Sequence, residues 1–356
     1  RYCLAMAKRG MSQSILKIDI NAIYDNWQSL DKKSSKNVET AAVIKADAYG
    51  LSTKNIAPIL AAKNIRTFFV AIAEEGIAVR KAVGNDADIF VFSGPMQSDA
   101  ATIKEYNLIP LINSAHQYNQ FQLNSPNQIF GIQLDTGMNR LGMEEVEFTS
   151  LGKNISNACL IMSHLACADE PSHTQNLQQL KTFHHLTDDL NIRRSLSATG
   201  GILLGPDYHF DLCRPGIGLY GGLPFEHSKP VVKLSIPVIQ SRRVLAGETV
   251  GYGGNWVAKS ETQVATISAG YADGLIRAIG NGQILLYDGE IGCPLIGRVS
   301  MDLITVDITQ LGYIPKTLDL INKVQTIDTI AHAANTIGYE ILTSLGARYN
   351  REYISG

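Results

Sequence analysis

From Ile15 to Ile20 the residues ILKIDI alternate between apolar and polar side chains, the two-residue period of a strand with one buried face. The period then changes. Ile20, Ile23, Trp27 and Leu30 recur at helical spacing, which predicts an amphipathic helix that Asp19 or Asn21 is placed to cap. Beyond it, short continuous apolar runs follow one another: AAVIKA (41–46), TFFVAIA (67–73), DIFVFSG (88–94), LIPLINS (108–114), IFGIQLDTG (129–137), CLIMSHLA (159–166), RSLSATGG (194–201) and DLCRPGIGLYGG (211–222). Most of the intervening segments have the composition of a helix. EEGIAVRKAVG (74–84), with Ile77, Val79 and Val83 among charges, is one.

Apolar strands without alternation are buried on both faces, and their regular exchange with helices predicts a parallel sheet. Eight of them in roughly 200 residues fit a (β/α)8 barrel near its lower size limit. A doubly wound open sheet is the competing arrangement, but no G-x-G-x-x-G follows the first strand. After about residue 230 the texture becomes strand and turn: KLSIPVIQSRRVL, TQVATISAGYADG, GQILLYDGEIGCPLIGRVSMDLITVDITQ, and a helical pattern again only at DTIAHAANTIG (328–338). The fold class expected is therefore α/β: an N-terminal (β/α)8 TIM-like barrel over 21–230 and a mostly-β domain over 231–356, joined by the strand within 11–20. Residues 1–10, RYCLAMAKRG, read as a non-native or disordered extension.

Composition narrows the function. The net charge is −2 and no long Lys/Arg run occurs, which argues against nucleic acid or an anionic membrane as partner. No uncharged apolar stretch reaches the length of a spanning helix. The five cysteines are scattered and odd in number, as free thiols in a reducing cytoplasm are, and neither they nor the eight histidines show the spacing of a metal site.

What remains is the chemistry at the strand ends, where barrels gather function. Lys45 lies inside an apolar run. A desolvated ammonium tends to lose its proton, and the neutral amine is then a nucleophile and a base; for VIKA alone, a lysine snorkelling to solvent is the better explanation. On the same rim the pattern places Tyr49, Arg140 in DTGMNRLG, His164, Thr199-Gly200-Gly201, and Arg214 followed by Pro215-Gly216-Ile217-Gly218. Glycine turns after the last two strands are where barrels commonly hold a phosphate.

These segments in this order resemble the alanine racemase family. IDINAIYDNWQSL, AAVIKADAYG, LDTGMNRLGM, MSHLACAD, SLSATGGIL, CRPGIGLYGG, VGYGGNW, SAGYADG and GRVSMD are similar to its signatures, from residue 15 to the C-terminus. The resemblance implies pyridoxal 5'-phosphate (PLP) as cofactor, joined to Lys45, with an amino acid as substrate. It implies that Tyr49, Thr199, Gly216 and Ile217 hold the phosphate. Arg214 faces the pyridine nitrogen with His164 hydrogen-bonded behind it, and Arg140 approaches the phenolic oxygen. It further implies a homodimer in which Tyr271, the second base, reaches the neighbouring subunit's site with Met301 and Asp302. The expected activity is two-base interconversion of L- and D-alanine, supplying D-alanine for peptidoglycan.

The chain departs from the family pattern in places. Gln133 stands where a carbamylated lysine is common, AYGLS replaces AYGHG, Ala198-Thr199 replaces Asn-Ser, and Ala347 stands where some relatives carry a phosphate-contacting tyrosine, with Tyr349 or Tyr353 nearby. The alternatives weighed are a racemase of serine, lysine or arginine, a decarboxylase of the same architecture, a PLP carrier on a similar barrel, and a metal- or sugar-handling barrel.

Overall fold

The computed structural model describes residues 14–152, 155–280 and 282–355; the extension expected over 1–10 lies outside the described residues. The chain divides into two compact units, one from Ala22 to Lys229, the other from the segment ending at Asn21 together with the chain from Pro230.

In the first unit seven consecutive strands pair in parallel: Ala42–Val43, Thr67–Val70, Asp88–Val91, Ile109–Ile112, Phe130–Gln133, Ala158–Met162 and Arg194–Ser195. Val43 lies beside Phe69, Phe69 beside Phe90, Ile112 beside Ile132 and Ile132 beside Ile161. An eighth strand, Leu212–Cys213, closes the ring. It pairs in parallel with Glu39–Thr40, and the Ala41 and Val43 N–H groups donate to Cys213 O at 2.8 Å and Pro215 O at 3.0 Å. On its other side the Arg214 N–H donates to Ser197 O at 2.8 Å. TFFV, IPLI and FGIQ are buried at every position, which is why these strands carry no alternation.

Helices separate the strands, among them Thr53–Ala62, Ala73–Val83, Ala115–Asn124 and Thr174–Thr187. The predicted first helix spans Ile20–Asp31 and buries Ile20, Ile23 and Leu30. Two strands are shorter than the apolar runs suggest. The first stops at Val43, before Lys45, and the seventh stops at Ser195, with Thr199 already opening a helix, Thr199–Leu204.

The second unit is built on the long strand Val232–Val244, which pairs with three others. Ile15–Asp19 and Thr317–Ile321 lie along its first half, and Thr262–Ile267 runs antiparallel to its second half. Ile304–Asp307, Ile291–Ile296 and Leu285–Asp288 complete the circuit between Thr262–Ile267 and Thr317–Ile321, so the sheet closes on itself. The final strand, Asn350–Ile354, adds in parallel to Ile15–Asp19. Among the described residues two α-helices interrupt the strands: Ile327–Ala333, as the DTIAHAANTIG pattern predicts, and Gly338–Ser344, which the sequence reading did not anticipate.

Candidate active site

Lys45 stands where the backbone leaves the first barrel strand. The four residues after it, Ala46, Asp47, Ala48 and Tyr49, all lie in the left-handed region, with φ of 52, 53, 55 and 57°, and Gly50 continues at 81°. Left-handed residues other than glycine are strained by roughly 1–2 kcal/mol each, so this turn requires support. The Ala48 N–H donates to Ile44 O at 2.9 Å and the Gly50 N–H to Ala46 O at 2.7 Å. Asp47 Oδ1 accepts the Thr53 N–H at 2.7 Å, and Glu75 Oε1 accepts the Ala46 N–H at 2.7 Å.

An aromatic floor lies beneath the mouth of the barrel. Phe69 stacks on Phe90 and on Phe92, with centroids 4.9 and 5.3 Å apart. Lys45 Nζ is 5.7 Å from the Phe92 ring centre and Arg214 Cζ is 5.9 Å from that of Phe69, both within cation–π reach. Burial lowers the Lys45 amine below its ordinary pKa, Arg140 lowers it further, and Glu75 opposes both. Arg214 is 1% exposed. Its guanidinium donates to Ser195 Oγ, to Ser163 O at 2.7 Å and to Leu196 O at 3.4 Å, and no carboxylate is among these partners. Burial brings it down to about 10, which leaves it cationic at neutral pH.

The His164 imidazole is pushed down to about 3 by burial and then by Arg214, Arg140 and Lys45, so it is neutral near pH 7. Its relation to Arg214 is electrostatic; among the hydrogen bonds of the described residues the expected His164–Arg214 bond does not occur, because Arg214 is turned onto the Ser163, Ser195 and Leu196 oxygens. Gln179, fully buried, fixes the loop that carries His164. Its Nε2 donates to His164 O at 2.9 Å and to Thr136 Oγ1 at 3.2 Å, and its Oε1 accepts the Ala166 N–H at 2.8 Å.

Tyr49, Thr199, Gly216 and Ile217 come together on the same rim. Thr199 Oγ1 accepts the N–H groups of Gly216 at 3.1 Å and Gly218 at 3.2 Å. A Cβ on Gly216 would lie 2.3 Å from Tyr49 Oη, and one on Gly218 would lie 2.6 Å from Thr199 Cγ2, so both positions require glycine. Tyr49 stacks on Tyr220 at 4.5 Å, and Tyr220 Oη donates to Val43 O at 3.0 Å. The Thr199 and Tyr49 hydroxyls thus converge on a glycine turn with no acid among them, groups of the kind that bind a phosphate, with the Gly216 and Gly218 amides held by Thr199 Oγ1 in this structure.

Arg140 is exposed, in a loop organised by Asp135, whose carboxylate accepts the N–H groups of Gly137, Met138 and Arg140. Gln133 donates its amide to Leu141 O at 3.1 Å, bracing the backbone beside Arg140. Among the described residues no group of three or more His, Cys, Asp and Glu side chains is placed to hold a metal ion.

In the other unit Tyr271, 44% exposed, opens a short turn, Tyr271–Asp273. The Tyr271 and Ala272 N–H groups donate to Ser300 O at 3.0 Å and Met301 O at 2.9 Å. Arg348 grips Asp273 with two bonds, of 2.6 and 2.8 Å, and Asp302 with a third of 2.7 Å. The structure therefore brings Tyr271, Met301 and Asp302 together within one unit. Tyr349, considered as a replacement for the missing phosphate-contacting tyrosine, is buried there with its hydroxyl unpaired.

Glu75, Gln179, Asp273 and Arg348 were missed by the sequence reading. Only Glu75 carried a signal, one of two adjacent acids in a helix's first turn.

Residues 18–224 match the family described as "Alanine racemase, N-terminal domain", and residues 231–353 match "Alanine racemase, C-terminal domain". The chain is 56% identical over 348 residues to the alanine racemase of Dinoroseobacter shibae, covering 97% of this chain and 99% of that one. It is 38% identical to that of Rhodospirillum rubrum, over 98% of each. Among solved structures, the alanine racemase of Bartonella henselae with covalently bound pyridoxal phosphate superposes with a TM-score of 0.91 at 37% identity, covering 96% of this chain and 99% of that one. The biosynthetic alanine racemase of Pseudomonas aeruginosa gives 0.90 at 31%, with the same coverage. With both domain profiles matched in order and relatives aligned end to end, the chain belongs to the alanine racemase family.

Proposed function

We propose that the chain interconverts L- and D-alanine with PLP joined to Lys45. One observation carries the reading: a partly buried amine of lowered pKa and a fully buried arginine with no acid partner lie over one aromatic floor, on the rim that also carries the Thr199–Gly216–Gly218 donor cluster. Tyr49, Thr199, Gly216 and Ile217 would hold the phosphate. When bound, PLP supplies the electron sink that makes the substrate's Cα–H acidic.

Racemisation takes a proton from one face of Cα and returns one to the other. Lys45 Nζ serves one face, and burial, by lowering its basicity, makes it a readier proton donor than an exposed lysine. Tyr271 Oη of the partner subunit serves the opposite face, in a homodimer whose sites also receive Met301 and Asp302. Arg214 would donate a hydrogen bond toward the ring nitrogen and keep its proton, because a guanidinium remains charged. That restrains the charge delivered to the ring and favours rapid return of the proton to Cα over side reactions. His164, neutral, adds no further positive charge behind Arg214. Arg140 would lie at the phenolic side, with the Asp135 loop fixing its backbone.

No helix among the described residues is long and apolar enough to cross a membrane. The free thiols Cys159, Cys167, Cys213 and Cys293 favour a reducing cytoplasm, where the D-alanine would enter peptidoglycan precursors. The test is covalent attachment. Borohydride reduction of the PLP-loaded protein, followed by peptide mass spectrometry, should place the label on Lys45, and Lys45→Ala should remove both the label and the visible absorbance. A label on another lysine, or an unchanged spectrum in Lys45→Ala, would refute the assignment.

A further inference from the structure

We infer that Glu75 is the positioning residue of Lys45, its carboxylate fixing the backbone on the C-terminal side of the lysine to the neighbouring strand-and-helix unit. The inference rests on the reading of Lys45 given above and adds a residue to it.

The backbone amides of Ile44 and Ala46, one residue to either side of Lys45, are held by the same neighbour. On one side the Ile44 N–H donates to Phe69 O at 3.0 Å, in the second barrel strand. On the other the Ala46 N–H donates to Glu75 Oε1 at 2.7 Å, and Glu75 is the third residue of the helix Ala73–Val83 that follows that strand. The second carboxylate oxygen, Oε2, accepts the Ala71 N–H at 2.8 Å, where the same strand gives way to that helix. One carboxylate therefore spans the ends of two adjacent strands, with the Lys45 Cα caught between two anchored amides.

The need for such a clamp is local. Ala46 is the first of four left-handed residues, none of them glycine. An unpaired N–H at that point would add to strain already present, and the turn has a ready alternative in the ordinary right-handed form. If the turn relaxed, the lysine's direction of exit from the backbone would change. A charged acceptor makes a stronger bond than a neutral one, and here it meets two donors.

The carboxylate also acts through its charge. The groups that face the Lys45 amine are Arg140 from the loop after the fifth strand, His164 from the end of the sixth, and Glu75 from its own helix. Arg140 lowers the amine and His164 is neutral, so among the described residues Glu75 is the anion whose charge raises it.

The experiment compares wild type, Glu75→Gln and Glu75→Asp. Each protein is stripped of PLP with hydroxylamine, and the rate at which an amine-directed reagent modifies Lys45 is followed against pH, the site being resolved by mass spectrometry. Reloaded proteins are assayed for kcat and KM with L-alanine. Glu75→Gln removes the charge and can serve only one of the two amides. Its Lys45 profile should shift to lower pH, and its kcat should fall about tenfold while KM changes less than about twofold. Glu75→Asp, which keeps the charge, should move the profile back toward wild type, and it carries the test should Glu75→Gln not fold. Superimposed Lys45 profiles, or a loss of kcat no greater than the loss of folded protein, would overturn the inference. The labelling needs no turnover, so it reports on Glu75 even if Lys45→Ala were found to keep racemase activity, a result that would strike the reading of Lys45 instead.

Discussion

Gly270→Ala tests whether the turn that carries Tyr271 works by close approach to the Met301 loop. Gly270 is extended, with φ of −160°, so alanine meets no backbone penalty there and the whole effect comes from contact. The added Cβ would lie 2.2 Å from Met301 O and 2.3 Å from Ser300 O, both backbone atoms that cannot rotate aside. Reaching ordinary contact requires the two segments to part by roughly 1 Å.

Those carbonyls are the acceptors for the Ala272 and Tyr271 N–H groups, so both bonds are lost together. The turn cannot drift as a body, because Asp273 is fixed by Arg348. Two bonds at about 1 kcal/mol each and the overpacking strain together predict a stability loss of about 3 kcal/mol. A displacement of this size in the group proposed to meet Cα predicts a fall in kcat of about a hundredfold. Denaturant unfolding gives the first quantity and racemisation of L-alanine the second, while covalent attachment of PLP to Lys45, in the other unit, should persist. Activity within about threefold of wild type together with an unchanged unfolding midpoint would refute the reasoning.

Further predictions follow from individual side chains. Tyr271→Phe removes one proposed base and leaves the other, so α-hydrogen exchange should fall more with L-alanine than with D-alanine; equal small losses would remove Tyr271 from that role. His164 is held near 3 in the folded chain against an ordinary value of 6.5, so it is neutral when folded and takes up a proton when unfolded below about pH 6.5. Its contribution to stability is therefore complete above that pH and is lost as the pH falls toward 3, by at most about 1.4 kcal/mol per pH unit. His164→Asn should flatten that acid limb, measured by urea unfolding across the window, and an unaltered slope would contradict the shift.

The sequence carried the architecture because the architecture depends on period and burial. TFFV, IPLI and FGIQ are buried at every position, and a run without alternation announces that directly. Strand ends were less legible. AAVIKA reads as strand through Ala46, yet pairing stops at Val43 and a left-handed turn follows. Nothing in KADAY asks for positive φ; Gly50 alone does, and the rest is imposed by Glu75 and by the Asp47–Thr53 bond. RSLSATGG misleads in the same way, since the helix at Thr199 is set by the approach of Gly216 and Gly218 to its hydroxyl.

The residues that fix the site from behind were hidden for a different reason. Arg348 meets Asp273 from 75 positions away, and Gln179 reaches His164 from the helix that follows it. Such pairs exist only once the chain is folded. Lys45, Arg214 and Tyr271 could be proposed from the sequence because their segments resemble a known family in order, and Lys45 also because a lysine is unusual inside an apolar run. Their supports are ordinary residues in ordinary helices and turns.

The most direct measurement is chemical. Purified protein is incubated with PLP and pure L-alanine, and the enantiomers are resolved by chiral chromatography over time, with Lys45→Ala in parallel. The account predicts that wild type carries the mixture to equal amounts of L- and D-alanine from either starting enantiomer and that Lys45→Ala leaves the starting enantiomer in place. Wild-type protein that binds PLP yet forms no D-alanine, or a Lys45→Ala protein that still forms it, would contradict the account.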